Sequence, residues 1–386
     1  MEKKKRFSSK FIFGAVVFAL AAAVLVILLA VGAGMKDDLY DQSAAERWDE
    51  NGNAYQLTLF FDNQAKVDNL DIRTFEHDFT VSLDSTLGDN SEMSLDSDNE
   101  DASYFASACM AEGKLTMKTE TGSLDNVKTY AVYGDYDVFH PVDMITGSFL
   151  YSDDAHSDGI VIDEDTAWAL FGSYDVVGQP IDVNGVQLYV RGVYREGRDK
   201  FEETAKGYNS FVNVTVTESG SVNSEAAKSL VYISMPALET IIGAAPNIMC
   251  YEFVSVAPSE VFIYDAMAKS FSKYISHMEL VKNTSRFTTQ NLYRILKSSS
   301  YRSMHITDIV YPYFENVARA YEDILSKILL VEGICLFVIA VLAVFFVVIR
   351  WKNRRMRWPQ IKDKVERMAE KARQSGKKEK TKWEHF

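Results

Sequence analysis

Six histidines, at positions 77, 140, 156, 277, 305 and 385, are the residues best suited to proton transfer or metal binding in this chain. None stands in HExxH or an equivalent ligand spacing, and no Gly-x-Ser-x-Gly elbow presents a nucleophilic serine. Carboxylates are so numerous that no dyad can be singled out. The acidic run Asp96–Asp101 superficially resembles a calcium loop but lacks the turn glycine and the distal bidentate glutamate, which leaves a solvated loop as its reading. The three cysteines, Cys109, Cys250 and Cys335, form no CxxC pair, and a Cys109–Cys250 bridge is the one pairing left open. No GxxxxGK[ST] loop is present, so the chain carries no such site for nucleotide hydrolysis. The expectation is a non-enzymatic protein with no catalytic residue, no cofactor and no metal.

The distribution of charge says more. The 386 residues carry 41 Lys+Arg against 54 Asp+Glu, and a net charge of -13 excludes a nucleic-acid-binding surface as the main feature. Residues 1–10 nevertheless hold five bases and one acid, residues 350–386 hold 14 bases and 5 acids, and residues 36–327 hold 22 bases against 47 acids. Basic ends therefore flank an acidic centre.

Two apolar runs separate these regions. Residues 11–34 contain no charge in 24 positions, and residues 328–349 contain one, Glu332, in 22; about 20 apolar residues suffice for a helix to cross a bilayer. Basic residues on the terminal sides place both termini in the cytoplasm, with the acidic centre outside. A cleaved signal peptide is the competing reading of the first run, but its apolar core exceeds the usual length. The expected organisation is a cytoplasmic N-terminus at 1–10, a first span at 11–34, a stalk at 35–54, an extracytoplasmic α+β domain at 55–307 with an acidic mobile loop at 84–101, a stalk helix at 308–327, a second span at 328–349 and a basic cytoplasmic tail at 350–386.

Val310, Phe314, Val317, Tyr321, Ile324 and Ile328 follow at alternating steps of four and three, which predicts a helical seam running into the second span. The alternative is a helix packed on its own domain. Glu332 is a candidate contact for a partner helix inside the membrane, with snorkelling to the interface as the other reading. The basic tail invites contact with anionic lipid, although retention of positive charge in the cytoplasm accounts for it equally.

Between the stalks, strand and helix patterns alternate. Residues 54–62 read as a strand, and residues 159–173 as a strand followed by a helix that Asp163 or Asp165 caps, Ala167, Leu170 and Phe171 stripe and Gly172 ends. Asn184-Gly185 marks a hairpin turn between alternating strands. Residues 229–235 and 250–258 read as strands, and Ser259 opens a helix. The expectation is an α+β domain of one or two lobes.

The segment from Gly147 to Arg195 resembles the MacB-like periplasmic core domain of the MacB/FtsX family of ABC-transporter permeases. The positions that carry the resemblance are Gly147, Asp153, Val161-Ile162, Ala169-Leu170-Phe171-Gly172, Val177-Gly178-Gln179, Ile181 and Val190-Arg191-Gly192-Val193. In that family three further spans follow the exterior domain and a cytoplasmic segment meets the ATPase. One apolar run follows here and the tail lacks that segment, so the resemblance implies a reduced two-span form. It also implies a membrane subunit that works with an ABC-type ATPase and multi-span permease chains, as a homo- or hetero-oligomer, and transmits movement mechanically to its exterior domain. A ligand-binding sensor that signals through two helices is the alternative from another class, and a structural surface anchor the third.

Overall fold

The computed structural model describes residues 9–49, 51–87, 104–151, 157–195, 229–302 and 308–383. The chain divides into two compact units, a helical unit of residues 1–33 and 328–386 and a head unit of residues 34–327.

The helical unit contains α1 (Ser9–Asp37) and most of α9 (Tyr313–Trp383). Among the described residues these are two helices long and apolar enough to cross a membrane. They pair within the unit, where Phe11 sets its ring edge-on to Phe346 at 5.1 Å and a side chain added at Gly14 would meet the Phe346 ring at 3.3 Å. The less exposed positions of the second apolar run, 328, 329, 332, 335, 338, 339, 342, 346 and 349, fall at helical spacing and form one stripe. Most remaining side chains of both runs are exposed, as lipid-facing helices require.

The head unit is built on a ten-stranded sheet: β1 (Ala54–Phe61), β2 (Phe105–Lys118), β3 (Ser123–Gly134), β4 (Asp143–Gly147), β5 (Gly159–Asp163), β6 (Pro180–Val183), β7 (Val186–Arg195), β8 (Leu230–Ser234), β9 (Cys250–Val256) and β10 (Met278–Lys282). Their order is β10-β1-β9-β2-β3-β8-β5-β7-β4, with β6 bridging β2 and β7. The strands of the expected lobes thus share one sheet. Neighbours run antiparallel except β3 with β8 and β5 with β7.

Alternation along the strands makes two cores, one on each face. On the first, Leu57, Leu59, Phe253 and Ile233 meet α3 (Asn69–Leu87), α5 (Glu164–Phe171), α6 (Met235–Ile242) and α7 (Glu260–Ser270). Phe75 and Phe79 of α3 both contact Phe253 at 5.0 Å between ring centroids, and burying each contributes about 2–3 kcal/mol. On the second face, Phe60, Met110, Tyr130 and Tyr232 meet α2 (Ala44–Trp48), α4 (Tyr136–Phe139) and the first residues of α9, Tyr313 and Phe314. Helix α8 (Thr289–Arg302) follows β10.

The faces decide the cysteine question. Cys109 pairs in register with Tyr251 and Cys250 with Met110, so the two sulfurs lie on opposite sides of the sheet; both are free thiols.

Two sequence expectations differ from the structure. The first helix stops at Asp37 instead of continuing as a stalk to residue 54; a 3-10 turn at Tyr40–Gln42 and then α2 follow, and Ala44 and Ala45 are buried in the second core. Residues 84–87 of the expected acidic loop close α3, because Ile72, Phe75, Phe79 and Leu83 give that helix a buried stripe. Residues 88–101 lie outside the described residues.

Candidate functional site

The segments of the head unit that adjoin the two apolar runs in the chain, residues 39–48 and 313–326, are tied together by buried polar side chains. Helix α9 begins after Pro312, which cannot donate from its nitrogen and therefore suits a helix start. Its buried face within the head runs through Phe314, Glu315, Ala318, Tyr321, Glu322 and Leu325. Two of those residues are acids, and they need partners there.

Arg286, just beyond β10 and 4% exposed, supplies them. Its Nη1 and Nη2 donate to the two carboxylate oxygens of Glu315 at 2.6 and 2.8 Å, its Nε donates to Glu322 at 2.7 Å, and Nη1 also donates to Gln42 Oε1 at 3.0 Å. One guanidinium thus holds the segment after the first apolar run and the segment before the second. Burial alone would lower the Arg286 pKa, but Glu315 and Glu322 outweigh it and raise it. Burial likewise pushes Glu315 up, and Arg286 with Arg319 holds it below the ordinary carboxylate range.

A second tier surrounds this centre. Arg319 donates to Glu315 at 2.6 Å and to Glu279 of β10 at 2.8 Å, and it stacks 3.9 Å from the ring centroid of Tyr311, whose hydroxyl donates to Glu279. Asn283 donates to Gln42 Oε1 at 2.9 Å and accepts from Thr58 at 3.0 Å. Gln56, fully buried in β1, accepts from the Ala44 N–H at 3.0 Å and donates to the Asp41 carbonyl at 2.9 Å. On the other side His140, 3% exposed, lies between Asp41 at 2.9 Å and Glu252 at 2.5 Å, against the rings of Phe314 and Tyr136. Burial opposes the imidazolium, yet the two carboxylates outweigh burial and push its pKa up to about 10, so both ring nitrogens carry protons and donate at neutral pH.

The sequence-predicted seam residues separate. Val310 precedes the helix and is exposed, Phe314 and Tyr321 are buried in the head, Val317 and Ile324 are half-buried, and Ile328 is half-buried in the helical unit. Because α9 meets its own head, its buried stripe follows that surface and includes the two glutamates. Glu332 is half-buried on the stripe of the helical unit.

Of the histidines, His140 joins the site, His277 contacts Asp62 at 2.8 Å, and His77 is exposed on α3; His156, His305 and His385 lie outside the described residues, as does the calcium-like run 96–101. Among the described residues no group of three His, Cys, Asp or Glu is arranged to hold a metal ion.

The motif positions build a different part of the head. Leu170 is buried in the first core, Phe171 packs at its margin, and Gly172 ends α5 with φ +67°. Gly178 donates its N–H to the Val190 carbonyl at 2.8 Å, which closes the loop before the β6–β7 hairpin, whose turn is Asn184-Gly185. Gly147 and Gly192 face each other across β4 and β7; a Cβ on Gly147 would stand 2.2 Å from the Arg191 carbonyl oxygen, and one on Gly192 would stand 2.7 Å from that of Ser148. The two strands approach this closely only with glycine on both.

The family model of the MacB-like periplasmic core domain matches residues 15–244. The chain belongs to this family. It is the extracytoplasmic domain type of ABC-type transporter permease-like proteins. The match begins within α1 and ends just after α6, so Gln42, Gln56 and His140 lie inside the MacB-like region whereas Glu252, Arg286, Glu315 and Glu322 lie beyond it. Among solved structures, the chain is similar to the extracellular domain of the noncanonic ABC-type transporter YknZ from Gram-positive bacteria, at 14% identity and a TM-score of 0.37, over 59% of this chain and 100% of that one. It is also similar to the periplasmic region of MacB from Actinobacillus actinomycetemcomitans, at 11% identity and a TM-score of 0.37, over 66% of this chain and 94% of that one. No curated protein matches the chain.

Proposed function

We propose that this MacB-like chain is a non-catalytic membrane subunit of an ABC-type transport or mechanotransmission complex. Its two apolar helices span the membrane, both termini are cytoplasmic, and the head contacts or moves substrate on the other side. The ATPase and the multi-span permease are other polypeptides.

The observation that supports this reading best is the Arg286 tie. Gln42 belongs to the segment that follows α1, Glu315 and Glu322 belong to α9, and all three converge on one buried cation in the head. A displacement of either apolar helix along or across the bilayer would load the same ionic centre. Breaking a buried pair of this kind strands charge away from water, so the tie resists separation and passes a displacement of one segment to the other.

The test is recovery of the full chain in mild detergent. Co-purification of an ATPase and a multi-span permease is expected, with hydrogen exchange at residues 283–286 and 313–322 that changes between ATP and ADP. A partner-free chain that binds a small ligand would instead make it a sensor.

A further inference from the structure

Helix α5 and the loop after it turn two aromatic rings toward water. The helix buries Thr166, Ala167 and Leu170 and exposes Asp165, Trp168 and Ala169. Among the described residues Trp168 is 59% exposed and Tyr174 43%, and their rings stand 5.6 Å apart at 38°. Single exposed apolar side chains are ordinary, whereas two large rings held against each other form the kind of surface that anchors protein interfaces. Their base is fixed. Asp163 caps α5, Gly172 ends it, the hydroxyls of Thr119 and Thr121 in the β2–β3 turn donate to the Leu170 carbonyl, and buried Val176 anchors the loop that carries Tyr174. A partner that seats on rings already in place loses little freedom in doing so.

Charge decides what can seat there. Residues 129–190 contain 11 Asp/Glu and no Lys/Arg. Asp165 stands one turn before Trp168, Asp175 adjoins Tyr174, and Glu120 lies in the turn bonded to α5; all three are exposed. Strand alternation places Lys118 and Lys128 toward the second face of the sheet, whereas α5 packs on the first. A purely apolar partner would strip water from these carboxylates without replacing it, and a second copy of the same surface would set acid against acid. A cation is attracted by the negative face of either ring, and its N–H groups can donate to the flanking carboxylates.

We propose that Trp168 and Tyr174, flanked by Asp165 and Asp175, form a docking site for an arginine- or lysine-bearing peptide segment of another protein. Its guanidinium or ammonium groups lie on the rings and donate to the carboxylates. The site belongs to the head alone and stands whether or not the chain serves a transport complex.

The test measures fluorescence anisotropy of labelled hexa-arginine, hexaglycine and hexaglutamate with the full chain in uncharged detergent. Hexa-arginine alone should bind, more weakly as salt rises. Trp168→Ala and Tyr174→Ala should each weaken it about threefold, with Trp168→Phe restoring part of the loss. D165N/D175N should weaken it by about threefold per charge, while Asp78→Asn, an exposed acid of α3, should leave it unchanged. Should a variant not fold, a benzophenone on hexa-arginine decides the matter on the unaltered chain by crosslinking within residues 164–177. Equal binding of the three peptides overturns the proposal, as does indifference to Trp168→Ala, an equal loss in Asp78→Asn, or crosslinks confined to other parts of the chain. Displacement of hexa-arginine by a neutral oligosaccharide, lost in Trp168→Ala, would make the site one for glycans and overturn it as well.

Discussion

Arg286 makes four hydrogen bonds from a position almost closed to water, and its two carboxylate partners, Glu315 and Glu322, are buried as well. Removing it strands those charges, and breaking a buried pair from one side costs about 3–5 kcal/mol. Arg286→Met should therefore lower the melting temperature of the solubilised chain by about 10 °C; a change below a degree or two would show the tie to be slack. His140 makes a second, pH-dependent prediction. Its folded pKa of about 10 lies above the ordinary 6.5, so its contribution is complete below pH 6.5 and is lost as pH rises toward 10. The buried thiols Cys109 and Cys250 are also raised, from 9.0, so their effect starts only above that value and the window from pH 7 to 8.5 reports His140 alone among these groups. Stability should fall there by about 1 kcal/mol per pH unit, and His140→Gln should flatten the slope. A slope that persists in the variant places its origin elsewhere. None of this was legible in the sequence, since Arg286 sits in an ordinary Asn-Thr-Ser-Arg-Phe loop and its partners are 29 and 36 residues away.

At the scale of elements the sequence was readable wherever local chemistry set the structure. Asp163 caps α5 by accepting from the Thr166 N–H at 2.8 Å, Ser259 caps α7 from Phe262, and Asn184-Gly185 turns the hairpin with φ of +49° and +88°, all from neighbours within three residues. Strand β2 was missed because Ala106, Ser107, Ala108, Ala111 and Gly113 carry little strand preference; its place between β9 and β3 holds it. Helix α3 was missed although Ile72, Phe75, Phe79 and Leu83 stand at steps of three, four and four. The seam of α9 was displaced for another reason: a 3.5-residue period predicts contact with a partner helix, whereas a sheet surface selects the side chains that fit it. The glycines offer a measurable contrast. Gly172 and Gly147 both have positive φ, but only Gly147 would also drive a Cβ into backbone. Gly172→Ala should cost about 1 kcal/mol and Gly147→Ala clearly more, about 3 kcal/mol, with β4 detaching from β7 in hydrogen exchange. Equal losses would mean that β4 shifts freely to make room.

For the whole molecule the deciding quantity is where charge lies relative to the two apolar helices. Five bases in residues 1–10 and 14 in residues 350–386 stand on the terminal sides of the two apolar runs, and lysine and arginine next to a span tend to be retained in the cytoplasm. Cysteines at Ser9 and Thr381 should thus resist a membrane-impermeant maleimide on intact cells and react only after permeabilisation, while Val261→Cys should react at once. The native thiols interfere little, since Cys109 and Cys250 are buried in the sheet and Cys335 faces the stripe of the helical unit. The three labels separate the alternatives. Reaction at 381 but not 9 on intact cells would mean one crossing, leaving one apolar helix on the surface and the shared grip of Arg286 without a second span to couple. Reaction at both ends but not at 261 would invert the chain and place the acidic head in the cytoplasm.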